Sequence, residues 1–324
     1  MMSDFRKINE IIDSSRSILI AGHEMPDGDS MGSCIAMASI LERMGKDVKV
    51  YRSGQFPFNY MFLKGSGNAC ESIPEGPFDL FVILDSGSPE RVGEDLYKLM
   101  ASSTGKKILF DHHTLKKEND DFFDAVYSDT SACATAAIVY RWAADRGMAL
   151  NKEESEAVYS AIISDTGGLK YGSTNKESFI ILSELLDRVN PWDVATRIYE
   201  NVPVEQLKML SEVLADLRIL AEGKAAVIRI TLDQFERYKL HPDHVDSFVN
   251  YARSIKGVQI AMRFREKGPG TWKVSMRSRG NIDANEVASR FGGGGHKNAA
   301  GFVFKGTFEE GLKAVEEIVR SVSN

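Results

Sequence analysis

Cysteine is scarce in this sequence, and long apolar runs are missing from it. The 324 residues include three cysteines, far apart and without a C-x-x-C spacing. The cysteines therefore suggest neither a disulfide framework nor a cysteine zinc site. No apolar run reaches the roughly 18 residues that a membrane span needs. The opening stretch, "MMSDFRKINEIIDSSRS", lacks the apolar centre of a signal peptide, so we expect a cytoplasmic protein with no membrane association.

An excess of basic residues is also missing. The chain has 40 Lys and Arg against 46 Asp and Glu, a net charge of −6. Proteins that coat nucleic acid broadly need a basic footprint, so the charge argues against that role and leaves open a local basic face. With 43% hydrophobic and 27% charged residues, the composition is that of an ordinary soluble protein.

The length and the order of apolar segments predict two α/β domains. Domains of roughly 100–200 residues would divide this chain in two. The first half alternates short apolar runs with helical stretches, which predicts βαβ units and a parallel sheet covered on both faces. The segment "VEQLKMLSEVLADLRIL" is typical of one amphipathic helix. We expect a parallel-sheet domain at residues 1–188, a connector with this helix at 189–222 and a smaller α/β domain at 223–324.

Ligand-type side chains follow several apolar segments of the first half. They lie in "GHEMPDGDS", "VILDSG", "FDHH" and "AIISDTGGL" and comprise His23, Asp27, Asp29, Asp85, Asp111, His112, His113 and Asp165. Each segment alone also fits a turn or a helix cap. The carboxyl ends of parallel strands meet at one sheet edge, however, so the four segments together favour a single site.

The chemistry of this set predicts divalent metal ions. Carboxylates and imidazoles without thiolates suit Mn²⁺ or Mg²⁺; the nitrogen ligands favour manganese, and zinc and iron stay open. The set exceeds what one tetrahedral ion uses, which indicates two ions. Two ions roughly 3.5–4 Å apart activate water and stabilise an in-line displacement at phosphorus. The sequence therefore predicts hydrolysis of a phosphoester or a phosphoanhydride.

The segments "HEMPDGDS", "LDSG", "DHH" and "SDTGG", in that order, resemble the four motifs of the DHH phosphoesterase superfamily. The resemblance implies that residues 1–188 form a catalytic domain with two metal ions bridged by Asp85. The implied ligands are His23, Asp27 and Asp85 for one ion, and Asp29, Asp85, His112 and Asp165 for the other. It further implies that His113 faces the substrate phosphate or leaving group, and that Asp111 orients a histidine.

A cluster of cations is predicted in the second half. The strands "QIAMRFRE" and "TWKVSMRSR" flank "KGPG", a hairpin signal, and strand periodicity collects five cations on one face: Arg263, Arg265, Lys273, Arg277 and Arg279. A solvated face that guards a sheet edge is one interpretation. The loop "GGGGHKNAAG" favours anion binding, because glycines permit close backbone approach to a phosphate, although a flexible turn explains it equally.

The segment "SMRSRGNIDANEVASRFGGGGHKNAAGF" resembles the DHH-associated C-terminal domain. In relatives with this pairing, the glycine-histidine loop and nearby arginines bind the part of the nucleotide distal to the cleaved phosphate. The resemblance carries this role to Arg263, Arg277, Gly294, Gly295 and His296. Together the two resemblances cover nearly the whole chain.

The compact length is similar to that of the stand-alone oligoribonuclease (nanoRNase) and pAp phosphatase group. We expect a manganese- or magnesium-dependent phosphodiesterase that hydrolyses dinucleotides and very short RNA to 5′-mononucleotides, with pAp as a further substrate. The alternatives are a cyclic-dinucleotide or linear pNpN phosphodiesterase, an inorganic pyrophosphatase or polyphosphatase, and a nucleotide sensor without activity. The sequence does not fix the oligomeric state and is compatible with a homodimer.

Overall fold

The computed structural model describes residues 5–115 and 121–322. It consists of two compact units, Met1–Asn201 and Val202–Asn324. The described helices of the first unit are α1 (Arg6–Ser14), α2 (Gly28–Arg43), α3 (Glu94–Ser102), α4 (Thr135–Asp145), α5 (Lys152–Asp165), α6 (Lys176–Leu185) and α7 (Pro191–Tyr199). Its described strands are β1 (Ser17–Ala21), β2 (Asp47–Tyr51), β3 (Leu80–Leu84), β4 (Lys106–Asp111) and β5 (Ala125–Ser128).

The sheet of the first unit is parallel and has the order β2-β1-β3-β4-β5. Its central strands are apolar without interruption because both faces are covered. Ile18 and Ile20 of β1 join the core beneath α2, α4 and α5, whereas Leu19 joins the core beneath α3. The predicted parallel sheet with helices on both faces is confirmed.

The strand order reverses between β1 and β3, since β1 is followed along the chain by its outer neighbour β2. Helix α2, which follows β1, packs on one face, and α3, which follows β3, packs on the other. Because the connections after β1 and β3 run to opposite faces of the sheet, a crevice opens at the carboxyl ends of these two strands. Ligands bind in such crevices in open α/β sheets. The segments with ligand-type residues begin here.

The second unit contains a mixed sheet of order β10-β11-β9-β8-β7-β6, with β7 and β8 parallel and the other pairs antiparallel. Its described strands are β6 (Arg218–Leu220), β7 (Ala225–Ile230), β8 (Ile260–Gly268), β9 (Thr271–Ser278), β10 (Gly294–His296) and β11 (Ala299–Lys305). Its described helices are α8 (Val204–Ala215), α9 (Leu232–Tyr238), α10 (Phe248–Arg253), α11 (Ala284–Ser289) and α12 (Phe308–Val322). The predicted hairpin is formed by β8 and β9.

The segment predicted as one long connector helix has a different structure. Helix α8 ends at Ala215, and β6 follows and pairs with β7. Met209 and Val213 of α8 are fully buried against Ile228 in a core of the second unit. Because its apolar stripe is buried there, α8 packs with the second unit, and the boundary between the two compact units falls between Asn201 and Val202, within the predicted connector of residues 189–222.

Within the described residues, no helix combines the length and the apolar character that crossing a membrane would require.

Candidate active site

The loop after β1 positions the first ligand-type residues by helix capping. Asp27 is the N-cap of α2, and its Oδ1 accepts the backbone N–H groups of Asp29 and Ser30 at 3.0 and 3.1 Å. The Nδ1 atom of His23 lies 2.9 Å from the Glu24 carbonyl oxygen, so this nitrogen donates and Nε2 is left as the acceptor. Nε2 lies 4.0 Å from Asp27 Oδ1 and 3.8 Å from Asp85 Oδ2.

Asp85, at the end of β3, is buried and has an unusual backbone conformation. Its side chain is 1% exposed, and its φ is 58°, in the left-handed region that residues other than glycine rarely adopt. The backbone N–H of Asp85 donates to the Phe110 carbonyl at 3.0 Å, which fixes this turn against β4. Backbone strain of this kind is concentrated at functional sites.

Asp111 connects the second and third motifs. Its Oδ2 accepts the backbone N–H groups of Ser86 and Gly87 at 2.9 and 2.5 Å, and its Oδ1 accepts the backbone N–H and Nδ1–H of His113 at 2.8 and 2.7 Å. Burial raises the pKa of Asp111, but the hydrogen bonds from His113 and Gly87 outweigh it and hold that pKa below its ordinary value. Asp111 is therefore an ionised residue that orients His113.

Asp29 connects α2 to α4. Its carboxylate accepts the backbone N–H groups of Thr135 and Ala136, the first two residues of α4, at 2.6 and 3.0 Å. The N-cap residue of α4 is Ala134, whose side chain makes no capping hydrogen bond. The hydroxyl of Thr135 donates to Asp85 Oδ1 at 3.0 Å. The positive end of the α4 dipole thus faces two of the acidic residues.

Two three-residue groups have the spacing to hold a metal ion, and they share Asp85: His23, Asp27 and Asp85 form one group, and Asp85, His112 and His113 form the other. His112 Nε2 lies 3.5 Å from Asp85 Oδ1 and 3.9 Å from one carboxylate oxygen of both Asp29 and Asp165. The first group has the composition expected for one ion. The second group contains His113, which the resemblance assigns to the substrate rather than to a metal ion. Asp29 and Asp165, which the resemblance assigns to the second ion, are not in this group but lie near its member His112.

The acidic residues in this cluster repel one another. Burial raises the pKa of Asp85 well above its usual range, and Asp29 and Asp27 add to the shift. Burial likewise raises the pKa of Asp29, against the opposing charge of His112. For Asp165, burial together with Asp29 raises the pKa to about 7.

The residues present fit divalent cations. Among the described residues, no Lys or Arg forms an ion pair with Asp27, Asp29, Asp85 or Asp165. Buried carboxylates without a cationic partner are costly, and the histidines beside them supply nitrogen ligands rather than permanent charge. Hard oxygen donors with some imidazole suit a divalent cation such as Mn²⁺ or Mg²⁺.

Four of the five predicted cations of the second unit lie on strands β8 and β9, whereas Arg279 follows β9 and donates to the Val258 and Ile255 carbonyls at 2.6 Å. Strand β9 pairs on both sides, with β8 and β11, so an edge-guarding role is excluded. Arg263 is 3% exposed and donates to the Val245 carbonyl, Asp246 and Ser275 at 2.7, 2.6 and 3.1 Å. Its Nε and that of Arg265 are buried with no hydrogen-bond partner among the described residues.

Cationic side chains outnumber carboxylates on this face of strands β8 and β9. Arg265 lies directly opposite Lys273 in the β8–β9 ladder. Burial lowers the pKa of both side chains, and their cationic neighbours lower each pKa further. Arg277 lies on the same face of β9, four residues after Lys273. It is half-buried and donates to the Met276 carbonyl at 3.0 Å. Partly buried cations with few carboxylates nearby favour an anionic ligand.

Close packing against a neighbouring strand explains one of the two predicted glycines, Gly295, but not the other, Gly294. Gly295 has a φ of 149°, and a Cβ there would lie 2.5 Å from the Ala299 carbonyl oxygen of the paired strand β11. Gly294 has no such close contact, the nearest atom being Asn285 Oδ1 at 3.7 Å. The side chain of His296 lies outside the described part of the structure, so its predicted role stays a prediction.

Sequence reasoning missed the residues that support the ligands. Thr135 and the backbone N–H groups of Ser86 and Gly87 hold Asp29, Asp85 and Asp111. Thr135 is 106 residues from Asp29 along the chain. No local pattern marks it, because it resembles an ordinary first-turn residue of a helix.

An open parallel sheet with a carboxylate and imidazole cluster at its switch point defines the class of the protein, an α/β protein with a candidate divalent metal centre. Residues 17–162 match the DHH family, N-terminal domain, and residues 222–321 match the DHHA1 domain. The chain therefore carries a DHH-family N-terminal domain followed by a DHHA1 domain.

Relatives match over nearly the full length. A Streptococcus mutans protein named probable bifunctional oligoribonuclease and PAP phosphatase NrnA is 26% identical over 300 residues, 93% of each chain. The Thermus thermophilus bifunctional oligoribonuclease and PAP phosphatase NrnA is 29% identical, over 94% of this chain and 91% of the relative. The crystal structure of an exopolyphosphatase-related protein from Bacteroides fragilis is 27% identical, with a TM-score of 0.89 over 97% of this chain and 95% of that one.

Proposed function

We propose that this protein is a divalent-metal-dependent phosphodiesterase that hydrolyses dinucleotides and very short oligoribonucleotides to 5′-mononucleotides, and that it also removes the 3′-phosphate of pAp. The observation that carries the proposal is the pair of ligand groups that share Asp85 at the sheet switch point. The names of the curated relatives support the substrate class. We place the protein in the cytoplasm, in keeping with its few cysteines.

Two ions, Mn²⁺ in preference to Mg²⁺, would be held on either side of Asp85. His23 and Asp27 would complete one ligand set, and His112 would contribute to the other together with Asp29 and Asp165. Ions bound there would lower the pKa of the attacking water and stabilise charge on the phosphoryl group. The hydrogen bonds from Thr135 keep the carboxylates of Asp29 and Asp85 in place before any ion arrives.

His113 and Asp111 act at the reacting phosphate. Asp111 holds a proton on His113 Nδ1 and fixes the plane of the ring. In hydrolysis the water oxygen attacks phosphorus, the bond from phosphorus to the 3′-oxygen breaks, and a proton ends on that 3′-oxygen. We assign His113 to the phosphate or to the leaving oxygen, where a positioned imidazole assists proton transfer.

The DHHA1 domain would supply recognition of the substrate. Arg277, Arg263 and the loop with Gly294, Gly295 and His296 would bind the nucleotide distal to the cleaved bond. The buried, incompletely bonded guanidinium groups of Arg263 and Arg265 support this role, because a phosphate accepts the hydrogen bonds that the protein does not.

Hydrolysis of polyphosphate or pyrophosphate is a second candidate. It is favoured by the description of the Bacteroides fragilis protein as exopolyphosphatase-related. The two functions use the same metal centre but differ in the second unit, because a bare anhydride has no nucleotide for it to bind.

The test is a turnover panel with Mn²⁺ that contains pApA, cyclic di-AMP, pAp, pyrophosphate and polyphosphate. We expect pApA to be hydrolysed fastest, chelation to abolish turnover, and Asp85→Asn to lower kcat by about 10³-fold or more, since it removes the shared ligand. Asp95→Asn, at an exposed position of α3, is the control and should match wild type.

Three outcomes contradict the proposal. Faster turnover of pyrophosphate or polyphosphate favours the second candidate. Faster turnover of cyclic di-AMP favours a cyclic-dinucleotide phosphodiesterase. Tight nucleotide binding with no turnover of any substrate favours a sensor.

A further inference from the structure

Arg91 is held beside the candidate metal centre by two of its loops. It lies in the short turn Pro89–Val92 that follows Asp85. Its carbonyl accepts the backbone N–H of Glu24, the residue after His23, at 2.5 Å. Its own N–H donates to the Ser88 carbonyl at 3.3 Å. The backbone of Arg91 is thus fixed between the loops that follow β1 and β3.

The guanidinium group of Arg91 lies next to His113. A Cβ atom built on Gly87 would be 3.0 Å from Arg91 Nη1 and 3.7 Å from the Cβ and Cγ atoms of His113. Gly87 itself donates its N–H to Asp111 Oδ2. A side chain at position 87 would therefore occupy the space that Arg91 and His113 border.

Several arginines of the first unit have a carboxylate partner, whereas Arg91 has none among the described residues. Arg43 pairs with Glu154 at 2.6 Å, and Arg141 pairs with Asp129 at 2.7 Å. Among the described residues, no ion pair or hydrogen bond holds the exposed guanidinium of Arg91. An arginine without a partner at the border of an acidic cluster retains its donors for another anion.

We propose that Arg91 binds the non-bridging oxygens of the scissile phosphate. The fork of a guanidinium group matches two phosphate oxygens, and its charge opposes the repulsion between a phosphodiester and the four carboxylates nearby. Arg91 would stabilise the charge that these oxygens gain during attack by water. This role rests on the proposed function and adds a residue to its chemistry.

The test compares Arg91→Gln and Arg91→Lys with the wild type on pApA and on a small chromogenic phosphodiester, both with Mn²⁺. Arg16→Gln is the matched control, because Arg16 is an exposed arginine at the opposite, amino end of β1. We expect Arg91→Gln to lower kcat/KM by about 10²-fold on both substrates, with partial activity in Arg91→Lys. The value of kcat/KM should fall by the same factor on both substrates, because both present a scissile phosphodiester.

Calorimetry separates this role from a structural one. Binding of Mn²⁺ alone should be unchanged in Arg91→Gln, whereas binding of inorganic phosphate to the Mn²⁺-loaded protein should weaken. Unchanged kcat/KM and phosphate affinity in this variant would overturn the proposal. So would a parallel loss of Mn²⁺ affinity in both Arg91 variants, which indicates a supporting role. A wild-type protein that hydrolyses no phosphodiester contradicts the proposed function instead.

Discussion

Asp165 ends α5 with a carboxyl group for which a proton and a metal ion would compete. Burial and the nearby charge of Asp29 raise its pKa to about 7. In the metal-free protein the folded state therefore retains a proton that the unfolded chain has already released, so this group contributes stability that falls as pH rises from about 4 to about 7. A divalent ion that binds the ionised form offsets that loss.

We expect the affinity for Mn²⁺ to rise steeply between pH 5.5 and about 7 and then to level off. Below the pKa of Asp165 each binding event must displace its proton. Titration calorimetry in buffers of different ionisation enthalpy measures the protons released. Asp165→Asn, which carries no such proton, should release about one proton fewer at pH 6. Equal proton release from the two proteins would show that Asp165 is not a ligand.

At the scale of single residues, the sequence indicates which candidate ligands come together better than it indicates the residues that support them. The grouping of His23, Asp27 and Asp85 could be predicted because each follows the end of an apolar strand. Thr135 could not be predicted, because it begins a helix and its partner Asp29 is 106 residues away along the chain. The burial of Arg263 was also not predictable, since strand periodicity assigns a face without saying that Val245 and Asp246 cover it.

At the scale of elements, the close packing of α2 against α5 sets the distance between two ligand-bearing helix ends. A Cβ on Gly32 of α2 would lie 2.7 Å from the Ala157 carbonyl oxygen and 2.8 Å from Ala161 Cβ of α5. Asp29 is about one turn before this contact on α2, and Asp165 is about one turn after it on α5. Glycine at position 32 thus permits the close packing of the two helices, and we expect this packing to set the distance between Asp29 and Asp165.

Gly32→Ala should therefore destabilise the metal-free protein by about 1–3 kcal/mol, because the added methyl group forces the two helices apart. We also expect weaker Mn²⁺ binding, since Asp29 and Asp165 separate with the helices. Urea unfolding and calorimetry measure the two effects. Gly67→Ala, with no atom within 4 Å of the new Cβ, is the control. Lower stability with unchanged Mn²⁺ affinity would show that this helix pair does not set the ligand spacing.

Elements were predictable where their apolar period was long and unbroken. Strands β1, β3 and β4 and helices α2, α4 and α5 follow from such runs. Strand β5 has four residues, of which Ala125 alone is buried, too weak a pattern to indicate a strand. Strand β6 has three residues and continues the apolar pattern of α8, so its pairing with β7 depends on a tertiary contact that periodicity does not contain.

At the scale of the whole molecule, the two units carry opposite local charge. The first collects Asp27, Asp29, Asp85 and Asp165, whereas the second collects Arg263, Arg265, Lys273 and Arg277, within a chain of net charge −6. This division was predictable from the motifs, because each half carries its own. It is consistent with the proposed division of chemistry and recognition between the two units, in which recognition involves a short anionic ligand rather than a long strand.

Preference for short RNA follows from this division. In the proposed function the metal centre binds the scissile phosphate and the DHHA1 domain binds one nucleotide, and each further nucleotide adds negative charge near an acidic protein. We expect kcat/KM with Mn²⁺ to fall as RNA length increases from two to about twenty nucleotides. Arg277→Gln should raise KM for pApA and have less effect on a small chromogenic phosphodiester that has no distal nucleotide. Lys313→Gln, at an exposed position of α12, is the control.

The two substrates distinguish Arg277 from Arg91, whose loss should affect both. A kcat/KM that rises steadily with length would indicate an exonuclease that tracks a strand, and equal losses on both substrates in Arg277→Gln would remove Arg277 from distal recognition.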